Sequence, residues 1–483
     1  MMCYSCLIYI FSLSLLAVYG VHRTYMLLRV MFGVYKVPEP LEISEWPKVC
    51  VQIPLYNESA VAKRVVDSLA RLDYPLDKLE LQILDDSNDE TIAIVDKAVS
   101  AYPKYNFKVI RREDRKGYKA GALTHGLKQT DAEFIVMFDA DFIPEPDFIR
   151  NTIPHFRDNT AFVQGRWTHL NRSKNLLTKA QAILLDGHFL IEHPLRYMCS
   201  FFNFNGTAGV WRKSAIADAG GWQGDTLTED LDLSYRARLK GWDAVYLRDV
   251  TCPAELPESL EAFKSQQNRW MKGTAQVCRK LLPRLILSRN ISFREKIGAF
   301  FHLTSPFCYI PAFLISILFI PVAFNRTEFA DNIAMWLEPL VLFLTLIALI
   351  AFYAYTQYVQ DRKFRLWHVA LGILVGISIA PHGAASFISG LFNKGGEFVR
   401  TPKFGISKIV GNKKKFSFRM NSFTHSSLKA ILAHKSEAIL VAYFIVGIVY
   451  MFAENLFGII PFLLILFFAY TLLLSQGFKT FKR

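Results

Sequence analysis

Phe134-Ile135-Val136-Met137-Phe138-Asp139-Ala140-Asp141 is the stretch that decides the fold. A short, almost wholly apolar run with no polar face reads as a strand buried on both sides. It ends on two acids. The same pattern repeats upstream. Lys48–Ile53 reads as a buried strand ended by Pro54, and Leu79–Leu84 as a second strand closed by Asp85-Asp86-Ser87. Phe107–Arg111 reads as a third. Between them Ala60–Leu72, Thr91–Ala101 and Ala120–Lys128 carry helical periodicity. Strands alternating with helices predict an α/β, Rossmann-like unit with a mostly parallel sheet covered on both faces. Ligands of such sheets lie beyond the carboxyl ends of the strands. Asp85, Asp86, Asp139 and Asp141 all fall there.

Each acidic signature admits a plain reading beside a chemical one. Asp139 and Asp141 are two apart, so in extended backbone their side chains point the same way. Two converging carboxylates suit a hard divalent cation that keeps positions open for phosphate, although a lone D-x-D also marks solvated loops. Asp85 and Asp86 can cap a turn or accept hydrogen bonds from a nucleoside. Lys116-Gly117-Tyr118-Lys119-Ala120-Gly121 opens a helix with glycine and lysine, which favours an anion as readily as plain solvent. Glu229-Asp230 follows Gly220-Gly221-Trp222 and starts a helical run. There Asp230 either caps the helix or takes a proton from an attacking hydroxyl. Trp270, in the basic amphipathic stretch Gln266-Gln267-Asn268-Arg269-Trp270, either anchors at an interface or stacks on the apolar face of a sugar, with Arg269 toward phosphate or acceptor. His188, Glu192 and His193 do not have the H-E-x-x-H spacing and lack an evident third ligand, so a structural role is preferred to zinc.

Composition places this unit beside a membrane. The chain has 483 residues, is 52% hydrophobic and carries 40 Phe, with the excess at its two ends. The formal charge of +14 gathers beside the apolar segments, as on the cytosolic flanks of membrane helices. No basic run has the interleaved aromatics of a base-stacking surface, which argues against nucleic acid. The seven cysteines are scattered and odd in number, with no zinc-ribbon spacing, so neither a disulfide framework nor zinc is expected.

Cys3–Gly20, Ala299–Phe324, Ile333–Tyr355, Ala438–Ala453 and Leu456–Ser475 are candidate spans. Trp367–Phe392 is long enough to cross but is broken by Pro381-His382-Gly383. The basic loops Gln357–Arg365 and Asn393–Glu437 flank it, and the positive-inside rule puts both on one side. Trp367–Phe392 is therefore expected to be interfacial or re-entrant. Five crossings result, with the N-terminus outside and Arg23–Gly298 and the basic tail in the cytosol. Asn325-Arg326-Thr327 falls outside and is a glycosylation sequon in a eukaryotic host. The domains expected are 1–22, an N-terminal span; 23–298, the cytosolic unit; and 299–483, a membrane region with a cytosolic loop over 393–437.

Taken together, Asp85-Asp86-Ser87, Asp139-Ala140-Asp141, Thr228-Glu229-Asp230 and Gln266-x-x-Arg269-Trp270, in this order, resemble a processive family 2 glycosyltransferase of the cellulose-synthase-like kind. The resemblance covers most of Val49–Lys280. Val51–Glu58, Gly117–Leu123, Phe204–Arg212 and Lys240-Gly241-Trp242 are similar to the mannan and glucan synthase-like branch. The resemblance implies a GT-A fold and a sugar-nucleotide donor, either GDP-mannose or UDP-glucose. It implies nucleoside and diphosphate contacts from Asp85, Asp86 and Lys119, and Mg²⁺ or Mn²⁺ on Asp139 and Asp141. Asp230 would be the catalytic base beside Glu229, and Gln266, Arg269 and Trp270 would shape the acceptor end. Phe398-Val399-Arg400-Thr401-Pro402-Lys403 resembles the family's gating-loop motif with Arg400 in place of valine, which makes Thr401 and Lys403 partial matches. The chain ends soon after its last span, so no cyclic-dinucleotide-binding domain is expected.

The activity implied is inverting polymerisation of a β-mannan or β-glucan, with the polymer leaving through the membrane spans. Single-sugar transfer to a lipid carrier and a non-catalytic export subunit are the alternatives. Expected partners are the donor, the growing polysaccharide, the lipid bilayer and accessory export proteins. The expected location is a bacterial inner membrane or, in a eukaryote, the Golgi membrane.

Overall fold

The structure is a computed structural model and describes residues 4–198, 201–324, 333–396 and 435–480. Thr401, Lys403 and the sequon at Asn325 lie outside the described residues, as does most of the loop over 393–437.

A seven-stranded sheet organises the chain: β1 (Val49–Leu55), β2 (Leu79–Asp85), β3 (Asn106–Ile110), β4 (Phe134–Met137), β5 (Thr160–His169), β6 (Gly209–Arg212) and β7 (Asp243–Ala254), in the spatial order 3-2-1-4-6-5-7. β1 to β4 pair in parallel, as do β5 and β7; β6 alone runs antiparallel, between β4 and β5. Parallel strands need both faces covered. On β1, Val49, Val51, Ile53 and Leu55 enter one core and Cys50 enters the other.

α1 (Tyr4–Phe32) precedes the sheet, and the helices between its strands are α2 (Ser59–Leu69), α3 (Thr91–Ser100), α4 (Tyr118–Leu127), α5 (Phe148–Thr152), α6 (Leu176–Gly187), α7 (His193–Met198), α8 (Lys213–Asp218) and α9 (Glu229–Leu239). The long α10 (Leu260–Leu287) starts at Ser259, whose hydroxyl accepts the Ala262 N–H at 3.2 Å, as N-caps do.

Three sequence expectations are corrected. Pro54 does not end β1; the strand runs to Leu55. Pairing with β4 stops at Gln52, whose carbonyl takes the Phe138 N–H. Strand alternation turns Pro54 to that same, now unpaired, edge, so its missing N–H removes no ladder bond. Asp139 and Asp141 do not alternate along an extended strand either. β4 stops at Met137, and the Phe142 N–H closes a turn onto the Asp139 carbonyl at 3.0 Å. The span expected over Ala299–Phe324 divides. α11 (Phe293–Leu303) is amphipathic and opens with a capping box between Ser292 and Glu295. A short 3₁₀ turn bearing Pro306 then leads into α12 (Tyr309–Phe324).

The remaining helices are α13 (Ile333–Asp361), α14 (Leu366–Ser378), α15 (Ala380–Phe392), α16 (Lys435–Ala453) and α17 (Ile460–Thr480). Among the described residues four helices are long and apolar enough to cross a membrane: Tyr4–Phe32, Ser305–Phe324, Leu340–Asp361 and Lys435–Ala453. The chain is a membrane protein. α14 and α15 bend by 49° where Pro381 follows Ile379–Ala380, as one broken span or a re-entrant pair. In α17 the apolar stretch Ile460–Gln476 is shorter than the span expected over Leu456–Ser475, because turns occupy the residues before Ile460.

α10 joins the two parts of the molecule. It packs along α15 on one side and against α9 on another. Both contacts bring backbones close. A Cβ at Gly390 of α15 would lie 2.4 Å from the Lys272 carbonyl oxygen, and one at Gly273 would lie 2.6 Å from the Thr228 side chain.

Candidate active site

The carboxyl ends of the parallel strands open into one cleft. It takes Tyr56 beyond β1, Asp86 beyond β2, Asp139 and Asp141 beyond β4, Trp167 and His169 from β5, and Glu255 beyond β7. Because β6 runs the other way, it presents its start rather than its end here, as Asn205-Gly206. Glu229 and Asp230 enter from the first turn of α9, and Gln266, Arg269 and Trp270 from α10. All the sequence-predicted residues within the described part line this cleft except Asp85.

Asp85 lies one layer behind. Its carboxylate is buried, accepting the Ser87 N–H at 3.1 Å and Arg111 Nε at 3.0 Å. Asp86 faces the cleft and is held by both Nε and Nη2 of Arg112, at 2.9 and 2.5 Å. A planar fork on a carboxylate fixes its orientation as well as its charge. Arg112 also donates to the Lys116 and Tyr118 carbonyls, 2.9 and 3.1 Å away, which shapes the turn into α4.

That turn aims Lys119 across the cleft. Its ammonium lies 2.6 Å from Asp139 Oδ1, 3.0 Å from the Gly206 carbonyl and 3.8 Å from Glu229 Oε1. Burial pulls the Lys119 pKa down, but the charges of Asp139, Glu229 and Asp230 outweigh it and leave the value raised. Lys119 is thus charged and bridges the acids of β4 to those of α9.

Gly206 sits at φ +79°, where a Cβ would come 2.9 Å from Asp230 Oδ2. Only glycine lets the carboxyl stand this close to the backbone. Asp230 shows intermediate exposure because it lines the cleft, yet protein surrounds its carboxyl. Burial first, then the neighbouring Glu229, push its pKa up to about 7 against the pull of Lys119. A carboxyl near neutrality can take a proton and hold it. Across from it the ring of Trp270 lies 6.5 Å from that of Trp167, tilted by 52°.

Asp139 and Asp141 supply only hard oxygen donors, and the Asp139 side chain keeps 36% of its surface exposed. No third His, Cys, Asp or Glu joins them in a metal-binding group among the described residues. Two carboxylates leave most positions for water and phosphate oxygens, which is how magnesium binds beside nucleotides. The donor set fits such an ion.

Sequence reading missed several residues of this site. Arg111 and Arg112 directly follow β3, and their place at a strand end was the available signal. Arg115 stacks 3.1 Å over the Tyr56 ring; Trp167 lies in β5, Asn205 in the loop before β6 and Glu255 directly after β7, beside strands that no periodicity marked.

A strand-end cleft of this kind on a mixed sheet, with acids, a lysine and an aromatic gathered in it, defines a GT-A glycosyltransferase. The backbone superposes with a TM-score of 0.52 on the mannosyltransferase PcManGT from Pyrobaculum calidifontis, solved in complex with GDP-Man and Mn²⁺, at 17% identity over 74% of this chain and 100% of that one. Residues 47–273 match the family described as glycosyltransferase like family 2. Glucomannan 4-beta-mannosyltransferase 1 of Oryza sativa subsp. japonica is 36% identical over 401 residues, 80% of this chain and 73% of that protein. Glucomannan 4-beta-mannosyltransferase 2 of Arabidopsis thaliana is 43% identical over 268 residues, 54% of this chain and 50% of its own length. The chain therefore belongs to the family 2 glycosyltransferases, in the cellulose-synthase-like, mannan synthase branch. It is an enzyme that draws on a sugar-nucleotide donor.

Proposed function

We propose that this enzyme polymerises β-linked mannose from GDP-mannose on the cytosolic side of a membrane and passes the polymer through its membrane helices. The observation that carries the reading is the Asp230 carboxyl, poised near neutrality across one cleft from the strand-end acids. The naming of its relatives as mannosyltransferases favours mannose over glucose.

In this reading Asp86 and Lys119 hold the nucleoside diphosphate, with Asp85 bracing the strand end behind them. Asp139 and Asp141 would hold Mg²⁺ or Mn²⁺, which when bound supplies positive charge to the diphosphate. Asp230 takes the proton from the acceptor hydroxyl. The freed oxygen attacks the anomeric carbon from the face opposite the diphosphate, so an α-linked donor gives a β-linked product. The Lys119 ammonium stabilises charge gathering on the departing diphosphate. Gln266, Arg269 and Trp270 seat the end of the chain, with the Trp270 ring under a sugar. The basic loop carrying Thr401 and Lys403 lies on the same cytosolic side, and α14–α15 does not cross.

Membranes carrying the protein are incubated with a panel of sugar nucleotides and Mg²⁺, and the product is digested with linkage-specific hydrolases. The expected product is a polymer made from GDP-mannose and cut by β-mannanase. A polymer from UDP-glucose alone, or a single glycolipid, overturns the reading. Chelation with EDTA is expected to stop synthesis and added Mg²⁺ to restore it.

A further inference from the structure

The histidines set aside as a zinc site lie behind the cleft wall, where they surround one amide. Asn205 Nδ2 is 3.0 Å from His188 Nε2, and Asn205 Oδ1 is 2.9 Å from His193 Nε2 and 3.0 Å from Asn203 Nδ2. The orientation of this amide follows from its neighbours. The Phe204 carbonyl can only accept, so the Asn203 atom 2.9 Å from it is the nitrogen. The Asn205 atom facing that nitrogen must then be oxygen. His193 therefore carries its proton on Nε2. His188 must receive the Asn205 N–H on a bare Nε2, and its own proton sits on Nδ1, 3.1 Å from Glu192 Oε2. Among the described residues no acceptor takes the second N–H of Asn205.

The backbone is built for this. His188–Glu192 forms a π-turn, and the His193 N–H bonds to the His188 carbonyl, five residues back. In an α-helix, side chains five apart diverge; the wider π-turn returns them to one face. The two imidazole centroids are 4.3 Å apart. Glu192 is fixed in turn by Arg196 at 3.0 Å and by Arg23 of α1 at 3.3 Å. His193 is fully buried and His188 partly so. Burial holds both rings below the ordinary histidine pKa, in His188 despite Glu192 and in His193 with the help of neighbouring His188 and Arg196.

We propose that His188 and His193 are positioning residues. Through the π-turn they lock the Asn205 amide so that one N–H faces the cleft, where it donates to an oxygen of the acceptor sugar beside Asp230. The inference rests on the proposed acceptor side of the site. It also makes the N-terminal membrane helix, through Arg23 and Glu192, part of the support for that wall.

The test uses the full-length protein in detergent, with β-1,4-mannohexaose binding measured apart from GDP-mannose binding. His188→Ala is expected to weaken mannohexaose about tenfold, the worth of one hydrogen bond to substrate, with GDP-mannose affinity unchanged. His188→Gln keeps one acceptor and one donor and is expected to recover most of the loss; a merely space-filling role would not distinguish it from His188→Met. Asn205→Ala should match His188→Ala, and the double variant should lose no more than either single change. Equal mannohexaose affinity in wild type and His188→Ala, or an equal loss of donor affinity, overturns the inference. Failure of wild type to use GDP-mannose as substrate overturns the donor assignment instead, and is read in a separate assay.

Discussion

The two walls of the cleft hold their acids in opposite ways. On the strand-end wall each inner carboxylate has its own guanidinium: Asp85 has Arg111, and Asp86 has both nitrogens of Arg112. On the wall made by α9, Asp230 has no arginine beside it among the described residues; it shares Lys119 with Asp139 and Glu229 and is pushed up to about 7 by burial. Paired acids suit lasting contacts to a ligand. An under-compensated acid suits proton transfer. In the proposed function this contrast separates binding from chemistry within a single pocket.

The largest expected effect strikes the second wall. Asp230→Asn should lower transfer by about 10³-fold or more, within the range for removing a general base, while GDP-mannose still binds. Unchanged transfer would make the two walls equivalent. On the first wall, Arg112→Ala strands the Asp86 carboxylate with little solvent. Side-chain exposures of 9% and 7% make this a buried pair, and breaking one costs roughly 3 kcal/mol. Thermal melting should show that loss, and the double change Arg112→Met, Asp86→Leu should show much less of it. Trp270→Ala removes the proposed sugar platform and is expected to weaken mannohexaose by about tenfold without moving donor affinity.

The smallest effect has the clearest sign. The folded-state pKa of Asp230 lies above its ordinary value of 3.8, so the folded protein binds this proton more tightly than the unfolded chain. That contribution is complete below the unfolded value and is lost as pH rises toward 7. Asp230→Asn should therefore melt a few degrees above wild type at pH 8, with the gap closing toward pH 4. Wild-type transfer should rise through about pH 7 as the carboxyl ionises. A lower melting point for the variant at pH 8 would show that Asp230 is compensated after all.

Much of the first wall was legible in the sequence, because a short apolar strand followed by an acid is a local pattern. Phe134–Phe138 with Asp139, and Leu79–Leu84 with Asp85, needed no distant information. The second wall was legible only through the order of its motifs. β6 is four residues long and antiparallel, and nothing local says that its start would bring Asn205 and Gly206 beside Asp230. Lys119 reads as a helix-start cation; that it bridges Asp139 to Glu229 depends on the turn that Arg112 holds. The extended reading of Asp139 and Asp141 failed for a similar reason, since the turn at Ala140 is set by where pairing with β1 stops.

The glycine contacts of α10 have a mechanical meaning. Lys272 and Gly273 are neighbours, one pressed by α15 at Gly390 and the other pressing on Thr228, the residue before the acids of α9. Side chains normally act as springs between helices, absorbing small shifts by changing rotamer. Here backbone meets backbone on one side, and backbone meets a short threonine on the other. Such a train has almost no slack, so a displacement of the bent membrane pair reaches the first turn of α9 nearly undiminished.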